Sequence, residues 1–284
     1  MCLIAKLLPR YPQLALPVVP NEEETQEYRN AVLRGKPVFK EPCFIGSTKD
    51  SLETVDTPVG KVEILFLSNR KDFEHALQAL AYRCEPVEIP ASAGANTIRG
   101  LINWEKIHTH QAEYLAAGGT NWREEFKSFT AEKKNYLDTI ILLSGGDYSA
   151  VPANWVGISE KEWKEKSLII RKYHELTHFV CRTMIPDDIV PIRDEVIADM
   201  IGLVAAFGDY TPQLAKRFLG IEDMRFRDGG RLSHYIDESE IDVAVADACE
   251  IIDRLTIQIG NMDKSDIFSL MLDVIRKEFK EAST

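Results

Sequence analysis

The chain has 284 residues, 45% of them hydrophobic, with 34 basic against 45 acidic side chains and a formal net charge of -11. That length and apolar content allow a substantial core, in one large domain or in two lobes. The acidic balance, with no Lys/Arg-rich block, argues against nucleic acid and anionic membrane surfaces as main partners.

From Met1 to Val19 the chain is apolar in flavour, but Lys6, Pro9, Arg10, Pro12 and Pro17 interrupt it, and no continuous signal-peptide core forms. No run approaches the ~18 apolar residues of a membrane span. The five cysteines, at 2, 43, 84, 181 and 249, are odd in number, scattered, and without a C-x-x-C. This fits a reducing compartment, so a cytoplasmic protein is expected.

Asn21 to Leu33 reads as a helix stopped by Gly35, and residues 36 to 50 as loop. Ser51 to Val55 and Lys61 to Leu67 read as a hairpin around Thr57-Pro58-Val59-Gly60. Asp72 to Arg83 is an amphipathic helix carrying His75, and Pro86 to Ile89 is a candidate short strand. Asn103 to Ala117 is helical and ends at Gly118-Gly119. Its His108 and His110, at i and i+2, point in different directions and read as surface residues. Trp122 to Lys134 is a further helix, with Asn121 as cap and Glu124 at the capping-box position. Asp138 to Ser144 is a buried-looking strand. Asn precedes Trp at 103, 121 and 154 with no fixed period, so no repeat is read.

Beyond residue 158 every strong signal is helical. Ser159-Glu160-Lys161-Glu162 has capping-box spacing, and no Gly or Pro follows until Pro186. The helix so marked is about 25 residues, or ~37 Å, long. Its C-terminal half holds His174-Glu175-Leu176-Thr177-His178, an H-E-x-x-H motif. Residues four apart lie one turn above the other on one face, so both imidazoles can reach a single ion. That face runs Ser167, Ile170, His174, His178, Cys181, Ile185. Leu168, Ile169, Leu176, Phe179 and Val180 make the surroundings apolar, and buried ionisable groups are costly unless paired or ligated. The plain alternative is a pair of ordinary helix histidines with a solvated Glu175. A His-His-Cys set using Cys181 would span two turns, too long for one ion, so Cys181 reads as a packed thiol.

The turn Met184 to Asp188 lets the chain reverse, and Pro191 opens a second helix to Phe207, before Gly208. That helix carries Glu195 and, one turn on, Asp199. Catalytic zinc usually takes three protein ligands and keeps its fourth position for water. Glu195 is the candidate third ligand, with Asp194 the nearest rival. Asp199 is placed to accept a hydrogen bond from the free ring nitrogen of a ligand His. A solvated helix face is the alternative for both carboxylates, since Val196, Ile197 and Met200 cover the apolar side.

H-E-x-x-H followed on the next helix by E-x-x-A-D resembles the gluzincin branch of the zincin metallopeptidases, the group that includes thermolysin. The resemblance covers residues 160 to 207, with a gap from His178 to Glu195 slightly tighter than in thermolysin-like enzymes. It implies Zn²⁺ held by His174, His178 and Glu195, with Glu175 as general base and Asp199 as partner of a ligand imidazole. Zincins bind substrate along an edge strand just upstream of the motif helix, so residues 145 to 155 are candidates to line the cleft. An oxyanion also wants an electrophile beside the metal, and in gluzincins a downstream Tyr or His often fills that role. After a helix from Thr211 to Leu219, the Gly-rich loop 228 to 235 supplies His234 and Tyr235 as candidates, with Arg231 behind them. A surface loop with scattered polar residues is the plainer reading of that segment.

The helix after Asp237 sets Ile241, Val245, Ala248, Ile252, Leu255 and Ile259 in an apolar stripe, with Asp242, Asp247, Glu250 and Asp253 on its wet side. Ser265 can cap a final helix to Phe279. The expected architecture is α+β: an N-terminal lobe, 1–155, with a small mixed or antiparallel sheet, and a mostly helical lobe, 156–284, with the metal site. The expected activity is that of a zinc metallopeptidase acting on a peptide or protein substrate. A catalytically inactive zincin-like regulatory or ligand-binding protein is the second reading, and a helical interaction protein with a chance motif the third. The residues name neither a cleavage specificity nor an oligomeric state.

Overall fold

A computed structural model describes residues 3–40, 43–186 and 190–280. Two compact units divide the chain: Met1–Thr54, Val62–Ile89 and Asn96–Ser144 make the first, and Val55–Lys61, Pro90–Ala95 and Gly145–Thr284 the second. Cys2 and the Asp187-Asp188 part of the predicted turn lie outside the described residues.

In the first unit the N-terminal apolar stretch is core. Two short 3-10 turns, Ile4–Lys6 and Pro12–Ala15, bury Ile4, Leu7, Tyr11 and Leu14 with Leu65, Leu67, Ile140 and Leu142. Helix α1, Gln26–Arg34, starts later than predicted, because Thr25 is extended and its side chain accepts the Tyr28 backbone N–H. Residues 22–24 form a 3-10 turn before it. Strands β1, Ser51–Thr57, and β2, Gly60–Leu67, join through a two-residue turn, and α2, Arg70–Ala81, is capped by Asn69.

Strand β3, Ala95–Ile102, answers to no predicted element, and Pro86 to Ile89 carries no strand. Gly100, with φ 75°, breaks the alternation in β3, so its buried residues Ile98 and Leu101 fall three apart instead of two. Pro86 removes a ladder donor from the stretch that looked like a strand, and Pro90 follows directly after it. Helices α3, Trp104–Ala116, and α4, Trp122–Ala131, precede β4, Leu137–Ser144. The sheet is mixed, in the order β1-β2-β4-β3, with β2 and β4 parallel and Leu65 beside Leu142.

The second unit contains α5, Ala153–Val156, α6, Glu160–Met184, α7, Pro191–Phe207, and α8, Pro212–Leu219. A two-stranded hairpin follows, β5, Ile221–Glu222, and β6, Arg225–Phe226, then α9, Ile241–Ile259, and α10, Ile267–Lys280. The fold is α+β, with the strands of the main sheet N-terminal and the long helices C-terminal. Helix α7 is apolar on nearly every side and is the centre of the unit, packed by α6, α8, α9 and α10. Among the described residues, no helix is long and apolar enough to cross a membrane.

Candidate metal centre

Helix α6 begins where Ser159 accepts the Glu162 backbone N–H, and it runs unbroken to Met184. Helix α7 begins with Pro191 in its first turn and ends at Gly208. Their close approach depends on Gly202, where a Cβ would stand 2.8 Å from the Ile170 carbonyl oxygen. The helices are antiparallel, and their facing residues step together turn by turn: Ile170 meets Gly202, His174 meets Asp199, and His178 meets Asp194.

Two imidazole nitrogens and one carboxylate converge at this seam. His174 Nε2 and His178 Nε2 are 3.0 Å apart, and Glu195 places Oε2 3.5 Å from the first and Oε1 3.3 Å from the second. The three residues form a buried His-His-Glu cluster that can hold a metal ion. Glu195 Oε2 has no hydrogen-bond partner among the described residues.

Each imidazole is held from behind by a carboxylate. An ionised carboxylate only accepts, so both Nδ1 atoms are donors: His174 to Asp199 Oδ1 at 2.9 Å, His178 to Asp194 Oδ2 at 2.8 Å. In the neutral imidazoles, the form that binds a metal, both Nε2 lone pairs then face the cluster. Asp194, the rival third ligand, thus serves the outer nitrogen of His178, with Arg182 3.4 Å away. The alternative of a solvated helix face fails for Glu195 and Asp199, which are 7% and 0% exposed. Cys181 is buried and hydrogen-bonds Asp194, and burial raises its thiol pKa, as expected of a packed thiol.

Burial alone would lower the basicity of His178, but Glu195 and Asp194 outweigh it and push the imidazole up to about 10. Burial would raise the Glu195 carboxyl, yet His178, His174 and Arg231 hold it well below the usual carboxylate range. Asp199 is lowered in the same way, chiefly by Arg231 and His174.

Glu175 is buried and lines a pocket of about 140 Å³ together with Gly94, Tyr148, Arg231, His234 and Tyr235. Tyr235 pairs its hydroxyl with Glu195, and His234 is exposed beside it. Arg231 contacts Asp199 directly and donates to Tyr148 Oη at 2.8 Å. Of the predicted cleft residues, Tyr148 and Ser149 line this pocket, whereas Asn154 and Trp155 line a separate surface cleft with Gln213 and Arg217. The sequence reading missed the roles of Tyr148 and Asp194. The available signal for Asp194 was a third acid in an otherwise apolar helix, each of which demands a partner.

The fold and the site thus define an α+β chain with a candidate His-His-Glu metal centre on an antiparallel helix pair. Residues 3–267 match the family described as "Family of unknown function (DUF7005)", and the chain belongs to it. No curated protein and no solved structure matches the chain.

Proposed function

We propose that this chain is a zinc-dependent metallohydrolase, a metallopeptidase of gluzincin type acting on a peptide or protein substrate. The observation that carries the reading is the convergence of His174 Nε2, His178 Nε2 and the two Glu195 carboxylate oxygens, with separations of 3.0 Å between the nitrogens and 3.5 and 3.3 Å from each nitrogen to its nearer oxygen. A tetrahedral zinc with bonds of ~2.0–2.1 Å sets its ligand atoms about 3.3–3.4 Å apart. Charge supports the same reading. Arg231 pairs with Asp199 and Arg182 with Asp194, which leaves the buried Glu195 carboxylate facing the two imidazoles, where a bound cation would take the place of the proton on His178.

Bound zinc supplies a Lewis acid and activates water near neutral pH. Glu175, in the pocket beside His174, would take the proton of the attacking water and hand it to the leaving amine. His234 lines the same pocket and would donate to the developing oxyanion, as would Tyr235 once its hydroxyl turns from Glu195 to the substrate. The free thiols Cys43, Cys84, Cys181 and Cys249 are in keeping with a cytoplasmic location.

Elemental mass spectrometry should find about one zinc per chain in the wild type and none in His178→Ala. Glu175→Gln should keep the zinc and lose turnover on a broad peptide library. Wild type that takes up no zinc, or Glu175→Gln with full activity, sinks the proposal. The small pocket favours a second reading, a zincin-like binding module without turnover. That reading gains if the wild type holds zinc and cleaves nothing in the library.

A further inference from the structure

We infer that Tyr148 and Arg231 are positioning residues of the metal centre, which aim His174 by locking Asp199. The inference rests on the metal reading above and adds two residues that lie outside both helices of the H-E-x-x-H and E-x-x-A-D motifs.

The Tyr148 hydroxyl donates to Asp199 Oδ1 at 2.6 Å, and its oxygen lies 2.9 Å from His174 Nδ1. Arg231 holds the other Asp199 oxygen and also donates to the Tyr148 hydroxyl. The His174 N–H is therefore shared between Asp199 and Tyr148, and both acceptors are tied to one guanidinium. This closed ring fixes the tautomer and the plane of the imidazole, a role that outer-shell partners of metal ligands take. Both side chains are more elaborate than a lone carboxylate partner would need.

Each of the two is itself held in place. The Tyr148 backbone N–H donates to Ser167 Oγ on α6 at 3.0 Å, and its ring packs edge-on against Phe218 with centroids 4.8 Å apart. Ser149 and Ala150, which follow it, have φ of 51° and 56°, a left-handed conformation that costs a non-glycine residue free energy. Strain of this kind persists where the surroundings over-determine a position, here that of Tyr148. Arg231 leaves the β5–β6 hairpin through a neck of two glycines. A Cβ on Gly220 would stand 2.4 Å from Gly230 Cα, and one on Gly230 would meet Gly220 Cα at 2.7 Å. Only paired glycines let the two backbones close, and the closure delivers Arg231 to Asp199.

The test is zinc affinity of the full-length protein, by competition with a chromogenic chelator, and the visible spectrum of the Co²⁺-loaded form. Tyr148→Phe keeps the ring against Phe218 and removes only the hydroxyl. Arg231→Lys keeps the charge and loses the fork that reaches two partners, and it stands in should Tyr148→Phe fail to fold. Zinc binding should weaken about 10–100-fold in each variant, with a changed Co²⁺ spectrum. Affinity and spectrum identical to wild type would overturn the inference and leave the metal centre standing. Wild type that binds no zinc would overturn both.

Discussion

Asp138 shows how much a single carboxylate organises in the first unit. It accepts Tyr11 Oη at 2.5 Å, Lys106 Nζ at 2.6 Å, Asn103 Nδ2 at 2.7 Å and an Arg10 nitrogen at 3.2 Å. Burial would raise its pKa, but these donors prevail and lower it. A carboxyl with a lowered folded-state pKa stabilises fully above its unfolded value and loses that contribution as pH falls through the folded one. The first unit should therefore weaken from about pH 4 downward. Asp138→Asn should cost about 1–3 kcal/mol at pH 7, because it leaves part-buried donors under-satisfied, and should flatten the acid limb. Urea unfolding followed from pH 7 to pH 3 measures both, and an unchanged acid limb in the variant would count against this account. At the same scale, the candidate metal ligands were legible because helical spacing alone puts His174 and His178 on one face. The choice between Asp194 and Glu195 was not. Adjacent residues sit about 100° apart around a helix, and only the packed partner decides which of them faces both imidazoles.

Among the elements, the pairing of α6 with α7 carries the site. Gly202 lies two turns along α7 from Glu195 and faces Ile170, one turn before His174. By propensity alone, Gly202→Ala should stabilise a helix by about 1 kcal/mol. Here the new methyl would stand 2.8 Å from a backbone oxygen that cannot swing aside. Overpacking of this kind costs about 1–3 kcal/mol, so the net change should be destabilising. Spreading the helices also moves Glu195 and Asp194 away from the imidazoles, so zinc affinity should fall as well. Thermal melting and chelator competition on the variant measure the two effects, and a stabilised variant with intact affinity would refute the seam argument. The helices themselves were legible from Ser159, Pro186, Pro191 and Gly208, which punctuate them chemically. Strand β3 was not, because Gly100 breaks the period-two pattern by which strands are read.

For the whole molecule, a ligand that binds only the folded chain stabilises it by mass action. Zinc at about a thousandfold excess over its Kd contributes about 4 kcal/mol. That should raise the melting temperature on the order of 10 °C, and a chelator should reverse it. His178→Ala should show no zinc-dependent shift, and an equal shift in that variant would place the ion elsewhere. The amino-acid sequence by itself determined the motif helices, their caps, the apolar stripe of α9 and the residue types at the site. These follow from backbone geometry and chemistry within a few turns of chain. Only the tertiary structure decided that Asp194 serves His178, that Tyr148 and Arg231 close on Asp199, and that the N-terminal apolar segment fills the core of the first unit. The polar pairings join residues 16 to 51 positions apart. No local periodicity encodes them, because they arise when burial forces every charged group to find a partner.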